Sequence, residues 1–180
     1  MKKWTKSVDI FTKDFLVVPV NYKLHWSLGI VCFPGAVMED NYTTDRRCCI
    51  LGFDSLGRFR SNHFNEIKRY LNMAWCTRAR AEGSVRQLPF SEKRCACIPL
   101  QTPKQTNGKD CGVFLLHNCE SFFNTKGFSD YTKPSVGLNW YPLSDIRQKR
   151  IAIHELISKK SGLDLSIELS KMNIGNAKRK

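Results

Sequence analysis

The sequence contains no long apolar run. None of its hydrophobic stretches approaches the roughly 18 to 20 residues that a membrane-spanning helix needs. The amino-terminal segment MKKWTKSVDIFTKD also has no apolar stretch after its lysines, and a secretory signal peptide requires one. We therefore expect a soluble intracellular protein that does not enter a membrane.

Acidic residues are scarce. The chain has 16 Asp and Glu against 29 Lys and Arg, which gives a formal net charge of +13. A balance this basic favours an acidic partner, and nucleic acid, an anionic membrane and an acidic protein surface all meet that condition. No nucleic-acid-binding motif is recognisable, so a nucleic-acid-binding module ranks last among the functions considered.

The spacing of a zinc knuckle is also missing, although the chain has eight cysteines. The close pairs are Cys48-Cys49 and Cys95-x-Cys97, and both lie in apolar runs typical of strands rather than in C-x(2–4)-C turns. The chain is longer than the small secreted domains that depend on disulfides. We predict reduced thiols that pack in the core, and neither a metal nor another cofactor.

The apolar pattern predicts a mixed α/β chain. Short apolar runs bounded by turn residues indicate strands, and apolar residues at steps of three and four indicate helices. The turn-rich segment 34–47 is expected to be a loop, Asp110 the N-cap of the second helix, and Ser144 or Asp145 the start of the third. The predicted strands are 15–20, 25–33, 48–56 and 95–100, and the predicted helices are 64–79, 111–123 and 143–160.

One cysteine stands where a helix favours a thiolate. Cys111 follows a Gly/Asp loop and opens an apolar helix, where the helix dipole stabilises negative charge. A catalytic thiolate also needs an imidazole, a polar group that orients the imidazole, and donors for the oxyanion. His25 opens one strand and Asp54 closes the next, while Gln105 lies six residues before Cys111.

Each of these residues also has an ordinary structural explanation. Cys111 could be a buried core thiol, and His25 a strand-end histidine with a satisfied ring. Gln105 could cap the helix or face water. Asp40 and Asp45 are weaker rivals of Asp54 for the orienting role.

In the same order, these residues carry a family signature. HWSLGIV, FDSLG and QTNGKDCGVFLLHNCESFF resemble the H-W, D-S-L and Q-x(5)-C-G signatures of the SUMO/sentrin-specific proteases, the ubiquitin-like-protein-specific cysteine proteases. NWYPLSDIRQKRIAIHELI resembles the closing W-x-P and the basic final helix of that family, so the resemblance covers residues 4–160. VCFPG and the insert after it look closest to the subclass that trims poly-SUMO chains.

The resemblance implies an α+β fold with a papain-like cysteine protease core, in which helices flank a central mixed sheet. It implies a catalytic domain over residues 1–160 and a polar, flexible tail over residues 161–180. The family's catalytic domain normally begins several tens of residues earlier, with a segment resembling L-N-D-x-x-I-N-F-Y. We therefore expect this chain to lack the first part of that domain.

The resemblance also assigns roles. Cys111 would be the nucleophile, His25 the general base and then acid, and Asp54 the residue that orients His25. Gln105 would donate to the oxyanion, and Trp26 would lie along the Gly-Gly tail of the modifier.

The implied reaction is hydrolysis after that tail, which processes SUMO or releases it from conjugated proteins. Two alternatives stay open: a catalytically impaired relative that only binds a modifier, and a protease for another modifier such as NEDD8. The expected partners are SUMO, its conjugates and its chains. We expect a monomer in the nucleus, or in both nucleus and cytoplasm, that binds neither membranes nor nucleic acid.

Overall fold

The computed structural model describes residues 8–38, 46–81, 83, 88–125 and 136–162. The chain divides into two compact units, Met1–Trp140 and Tyr141–Lys180. The first unit holds a four-stranded sheet with helices on both of its faces, and the second holds one helix. The predicted α+β fold with a mixed sheet is confirmed, whereas the predicted limits of the domain and tail stay a prediction.

The sheet has the order β1-β2-β3-β4. The first three strands are antiparallel, and the fourth runs parallel to the third. Each strand lies within or overlaps a predicted apolar run, and Pro19 is tolerated because β1 is an edge strand. The strands are β1 Phe15–Tyr22, β2 His25–Cys32, β3 Cys49–Phe53 and β4 Ala96–Pro99.

Two helices pack on opposite faces of this sheet. Helix α1, Ser61–Ala81, contributes Phe64, Ile67 and Leu71 to a cluster with Val31 and Ile50. Successive side chains of a strand alternate between faces, so the neighbouring strand residues face the other helix, α2, Cys111–Asn124. That second cluster joins Leu28, Ile30 and Leu51 to Leu115 and Phe122.

Helix α1 begins one turn earlier than predicted, because residues 61–63 are polar and carry no apolar signal. The predicted position of the α2 N-cap is confirmed. Asp110 occupies the N-cap position but makes no side-chain bond to the helix; its carboxylate instead accepts a hydrogen bond from Asn107 Nδ2 at 2.6 Å.

Two short 3-10 helices, Ile10–Thr12 and Pro34–Met38, were not predicted. The second replaces part of the loop expected at 34–47, because Ala36 and Val37 are buried and hold the chain against the core. Asp40 and Asp45 lie outside the described residues.

In the second unit, helix α3 spans Leu143–Ser161 and confirms the third predicted helix. Pro142 takes the N-cap position, and the expected Ser144 and Asp145 fall within the first turn. Gly162 ends the helix in a left-handed conformation with φ of 69°, which glycine adopts without strain. Of the predicted tail, residues 163–180 lie outside the described part.

None of the described helices is both long enough and apolar enough to cross a bilayer.

Gly52 of β3 allows Phe59 to pack on the sheet. A Cβ at position 52 would lie 2.5 Å from Cδ1 of the Phe59 ring, far inside van der Waals contact. Phe59 is buried and anchors the segment that follows Asp54. We expect Gly52→Ala to displace this ring and to lower the free energy of unfolding by about 1–3 kcal/mol, as overpacked cores do.

Urea denaturation followed by circular dichroism measures this change. Gly137→Ala is the matched control, because apart from its chain neighbours no atom of the described residues lies within 4 Å of the place that a Cβ would take at that position. Equal stability of the two variants would show that Phe59 does not need the space above Gly52.

Candidate active site

The sheet brings His25 and Asp54 to one end. His25 is the first residue of β2, and it follows a tight turn in which Lys23 and Leu24 have φ of 49° and 62°. Asp54 comes directly after the last residue of β3. Because β2 and β3 are antiparallel, the start of one strand lies beside the end of the other.

The two side chains form a hydrogen-bonded pair. His25 Nε2 lies 3.0 Å from Asp54 Oδ1, and the carboxylate is almost completely buried. The same oxygen accepts the backbone N–H of Leu56 at 2.7 Å, which fixes its orientation. Because a carboxylate only accepts hydrogen bonds, Nε2 carries the proton and Nδ1 is left with the lone pair that a general base needs.

Further bonds hold the segment after β3 in place. The Asp54 carbonyl accepts the N–H of Gly57 at 2.9 Å and the ammonium of Lys104 at 3.1 Å. These contacts tie the carboxylate to the loop that precedes α2. The sequence analysis did not single out Lys104, because it belongs to neither of the motifs that flank it, FDSLG and QTNGKDCG.

Gln105 lies beside this pair. Its backbone N–H donates to the carbonyl of Ser55 at 3.0 Å, and its side-chain Oε1 accepts the Ser55 hydroxyl. One hydrogen of its amide group is donated to the carbonyl of Asn107. The sequence placed Gln105 near the site, and the structure adds Ser55, the middle residue of the D-S-L signature, as the group that holds it.

Cys111 opens α2, and its side chain is buried. A Cβ at the next residue, Gly112, would lie 3.9 Å from the indole Cδ1 of Trp26, which is ordinary van der Waals contact. The first turn of α2 therefore lies against the residue that follows His25. Among the described residues no hydrogen bond joins the Cys111 thiol to His25, so proton transfer between them requires the sulfur and the ring to approach each other.

Several of the other thiols are poor nucleophiles. The pKa of Cys32 is raised far above the usual range of a thiol, mainly by its hydrogen bond with Cys49 and secondly by burial. The pKa of Cys95 is raised in the same way by its hydrogen bond with Cys48 and by burial. Burial also raises the pKa of Cys119, and it raises the pKa of Cys97 to about 11. At neutral pH these four groups stay protonated, and a protonated thiol does not attack a carbonyl. No disulfide joins any of the eight cysteines, and the described residues contain no group of three or more His, Cys, Asp or Glu side chains that could hold a metal ion.

A His–Asp pair with a buried carboxylate, beside a helix that begins with cysteine, is the arrangement of the thiol hydrolases. A family comparison narrows this class. The chain belongs to the Ulp1 protease family: residues 1–160 match its C-terminal catalytic domain. The resemblance found in the sequence is confirmed at the level of the family.

Individual relatives agree with this assignment. The chain is 36% identical over 167 residues to Arabidopsis thaliana "Probable ubiquitin-like-specific protease 2B", which covers 87% of this chain and 18% of that protein. It is 30% identical over 210 residues to Homo sapiens "Sentrin-specific protease 7", which covers 88% of this chain and 19% of that protein. The chain thus spans about a fifth of the length of these relatives.

A solved structure shares the fold. The crystal structure of a protein described as "the de-sumoylating protease" superposes with a TM-score of 0.56 at 23% sequence identity. The match covers 96% of this chain and 62% of that one.

Proposed function

We propose that this chain is a cysteine-type peptidase and isopeptidase that hydrolyses the bond after the carboxyl-terminal Gly-Gly of a SUMO-type modifier. The observation that carries the proposal is the 3.0 Å contact between His25 and Asp54 in a chain of the Ulp1 protease family. The names of its relatives, ubiquitin-like-specific and sentrin-specific proteases, support this substrate class.

In the first half of the reaction, Nδ1 of His25 takes the proton of the Cys111 thiol. The sulfur attacks the carbonyl carbon that follows Gly-Gly, and the carbonyl oxygen becomes an anion. The backbone N–H of Cys111 and the amide of Gln105 donate to that oxygen. When the C–N bond breaks, His25 returns its proton to the leaving amine, and a thioester remains on Cys111.

In the second half, His25 acts as a base again. It removes a proton from a water molecule, and the resulting hydroxide attacks the thioester carbonyl. The C–S bond breaks, the modifier leaves with a free carboxylate, and the thiol regains its proton. Throughout, Asp54 keeps the imidazole in one tautomer and stabilises its positive charge.

Trp26 provides a basis for selecting the tail. Its indole is 43% exposed, although it lies directly beside the first turn of α2. Glycine has no side chain that would hold a substrate backbone away from the flat face of this ring. We propose that the Gly-Gly tail lies along Trp26.

The other expectations extend this proposal. The basic surface speeds encounter with an acidic modifier and orients it, more than it adds affinity. Poly-SUMO chains as a preferred substrate, a monomeric state and a nuclear location are further parts of the proposal.

Reporter substrates test the function. The chain is mixed in parallel with SUMO, NEDD8 and ubiquitin, each carrying a fluorogenic amide on its carboxyl-terminal glycine. We expect kcat/KM for SUMO to exceed the other two values by at least about 100-fold, because buried polar contacts to the wrong modifier are left unpaired. Faster release from NEDD8 or ubiquitin would reassign the modifier, and no release from any of the three would refute the peptidase function.

A further inference from the structure

A basic cavity adjoins the His25–Asp54 pair. It has a volume of about 780 Å³ and lies between the turn before β2, the segment after β3 and the first two turns of α1. This size is typical of sites that hold small ligands or several side chains. Its cationic members are Lys23, Arg58 and Arg60.

The positive charge in this cavity is not neutralised within the described part of the chain, where no carboxylate pairs with Lys23, Arg58 or Arg60. Of the two carboxylates that line the cavity, Glu66 pairs with Arg69 at 2.5 Å. The other, Asp54, contacts His25. The first turn of α1 carries no acidic residue, so the helix dipole adds to the positive potential.

His63 also lines the cavity, where its ring packs edge-on against Phe59 and Tyr22. Burial lowers the pKa of His63 below its usual value, Asp54 raises this pKa to a smaller extent, and His25 and Arg60 lower it further. The ring is therefore uncharged at neutral pH, and the cavity depends on its lysine and arginines for charge.

The cavity lies on the side of the sheet that His25 faces, next to the expected position of the scissile bond. Trp26 and His25 are adjacent in β2, so their side chains project to opposite faces of the sheet. Trp26 faces the start of α2, whereas His25 faces the cavity and the start of α1. A substrate whose tail lies along Trp26 therefore crosses the end of the sheet at His25.

The proposed reaction determines which part of the substrate lies beyond His25. His25 protonates the leaving amine, which in a conjugate is the lysine side chain of the target protein. The residues around that lysine then emerge on the His25 face, where the cavity opens. Carboxylates at this place would meet two guanidinium groups, whose planar forks bind carboxylates in a bidentate manner.

We propose that this cavity binds acidic side chains of the target protein next to the conjugated lysine, and so selects targets with acidic residues around the attachment site. The inference rests on the proposed function, because it names the leaving-group side of the same reaction. Lys23, Arg58 and Arg60 are the selecting residues.

The test uses two isopeptide substrates, each a SUMO joined through its terminal glycine to the lysine of a short labelled peptide. One peptide has Asp and Glu on both sides of the lysine, and the other has Asn and Gln at the same positions. At about 150 mM salt we expect kcat/KM for the acidic substrate to be about 10-fold higher, mainly through a lower KM, because surface charges act on encounter and binding.

Arg58→Gln/Arg60→Gln should reduce this acidic-to-neutral ratio to near one. Lys13→Gln/Lys93→Gln removes the same charge from exposed lysines outside the cavity and should keep the ratio of the unaltered chain. Equal ratios in all three proteins, or an equal loss of preference in both variants, would overturn the proposal.

Binding of the free labelled peptides, followed by fluorescence anisotropy, separates the cavity from the chemistry. The acidic peptide should bind the unaltered chain more tightly than the neutral peptide, and Arg58→Gln/Arg60→Gln should remove the difference. If neither isopeptide is cleaved but this pattern appears, the peptidase function fails and the acidic site stands. If both are cleaved without acidic preference, the function stands and the acidic site fails.

Discussion

Replacing Cys111 with serine is expected to lower kcat for the SUMO reporter by about 10⁴- to 10⁶-fold, the range seen when a hydrolase loses its nucleophile. A hydroxyl of the same shape is a far weaker acid than a thiol, and His25 cannot generate its anion without the precise contacts that a serine hydrolase provides. The measurement is initial-rate hydrolysis at saturating substrate. Binding of the intact modifier should persist, because the substitution changes one atom.

The control is Cys119→Ser, two turns further along the same helix. That thiol is partly buried, packs beside the α2 face of the core and has a pKa raised by burial. Its replacement should leave kcat within about two-fold and should cost some stability instead, as a hydroxyl in an apolar setting does. Equal activity of Cys111→Ser and the unaltered chain would exclude Cys111 as the nucleophile.

Asp54→Asn is expected to lower kcat by about 10⁴-fold, as in other triads that lose the carboxylate. The amide oxygen can still accept the N–H of Leu56, so the loop keeps its main anchor. The amide NH₂ then faces His25 Nε2 and donates to it. This forces the ring proton onto Nδ1, the nitrogen that must accept the proton of the thiol.

Two measurements separate this effect from unfolding. Asp14→Asn alters an exposed carboxylate that pairs with Arg46 on the surface and should leave both kcat and stability almost unchanged, as expected of a surface ion pair. Urea denaturation of Asp54→Asn should show a folded protein. A folded Asp54→Asn variant with full activity would mean that another group orients His25.

The strands and helices that carry the site residues could be predicted from the sequence more fully than the contacts between those residues. The four strands were predictable because each carries an apolar run, and β3 is buried at every position. His25 and Asp54 could be paired in advance because each stands at a strand end within a motif. Their 3.0 Å contact then follows from the antiparallel pairing of β2 with β3.

What escaped prediction depends on contacts between distant segments. The basic cavity combines Lys23 with Arg58 and Arg60, which share no motif and meet only because Phe59 packs on Gly52. Asp110 takes the predicted N-cap position, but its carboxylate bonds to Asn107 inside the same loop and not to the helix. The choice of hydrogen-bond partner within a loop does not alter the spacing of apolar residues, so the sequence pattern could not predict it.

The parallel pairing of β3 with β4 bears on the order in which the protein folds. Parallel neighbours cannot be joined by a tight turn, so the pairing of residues 96–99 with residues 49–52 closes a long crossover that includes α1. Such long-range closure is slow to form. His25 and Asp54 lie at the ends of neighbouring antiparallel strands, whereas Gln105 and Cys111 lie beyond the crossover in sequence. The base and its orienting carboxylate thus meet through local pairing, and we expect the slower, long-range closure to decide when the proposed nucleophile joins them.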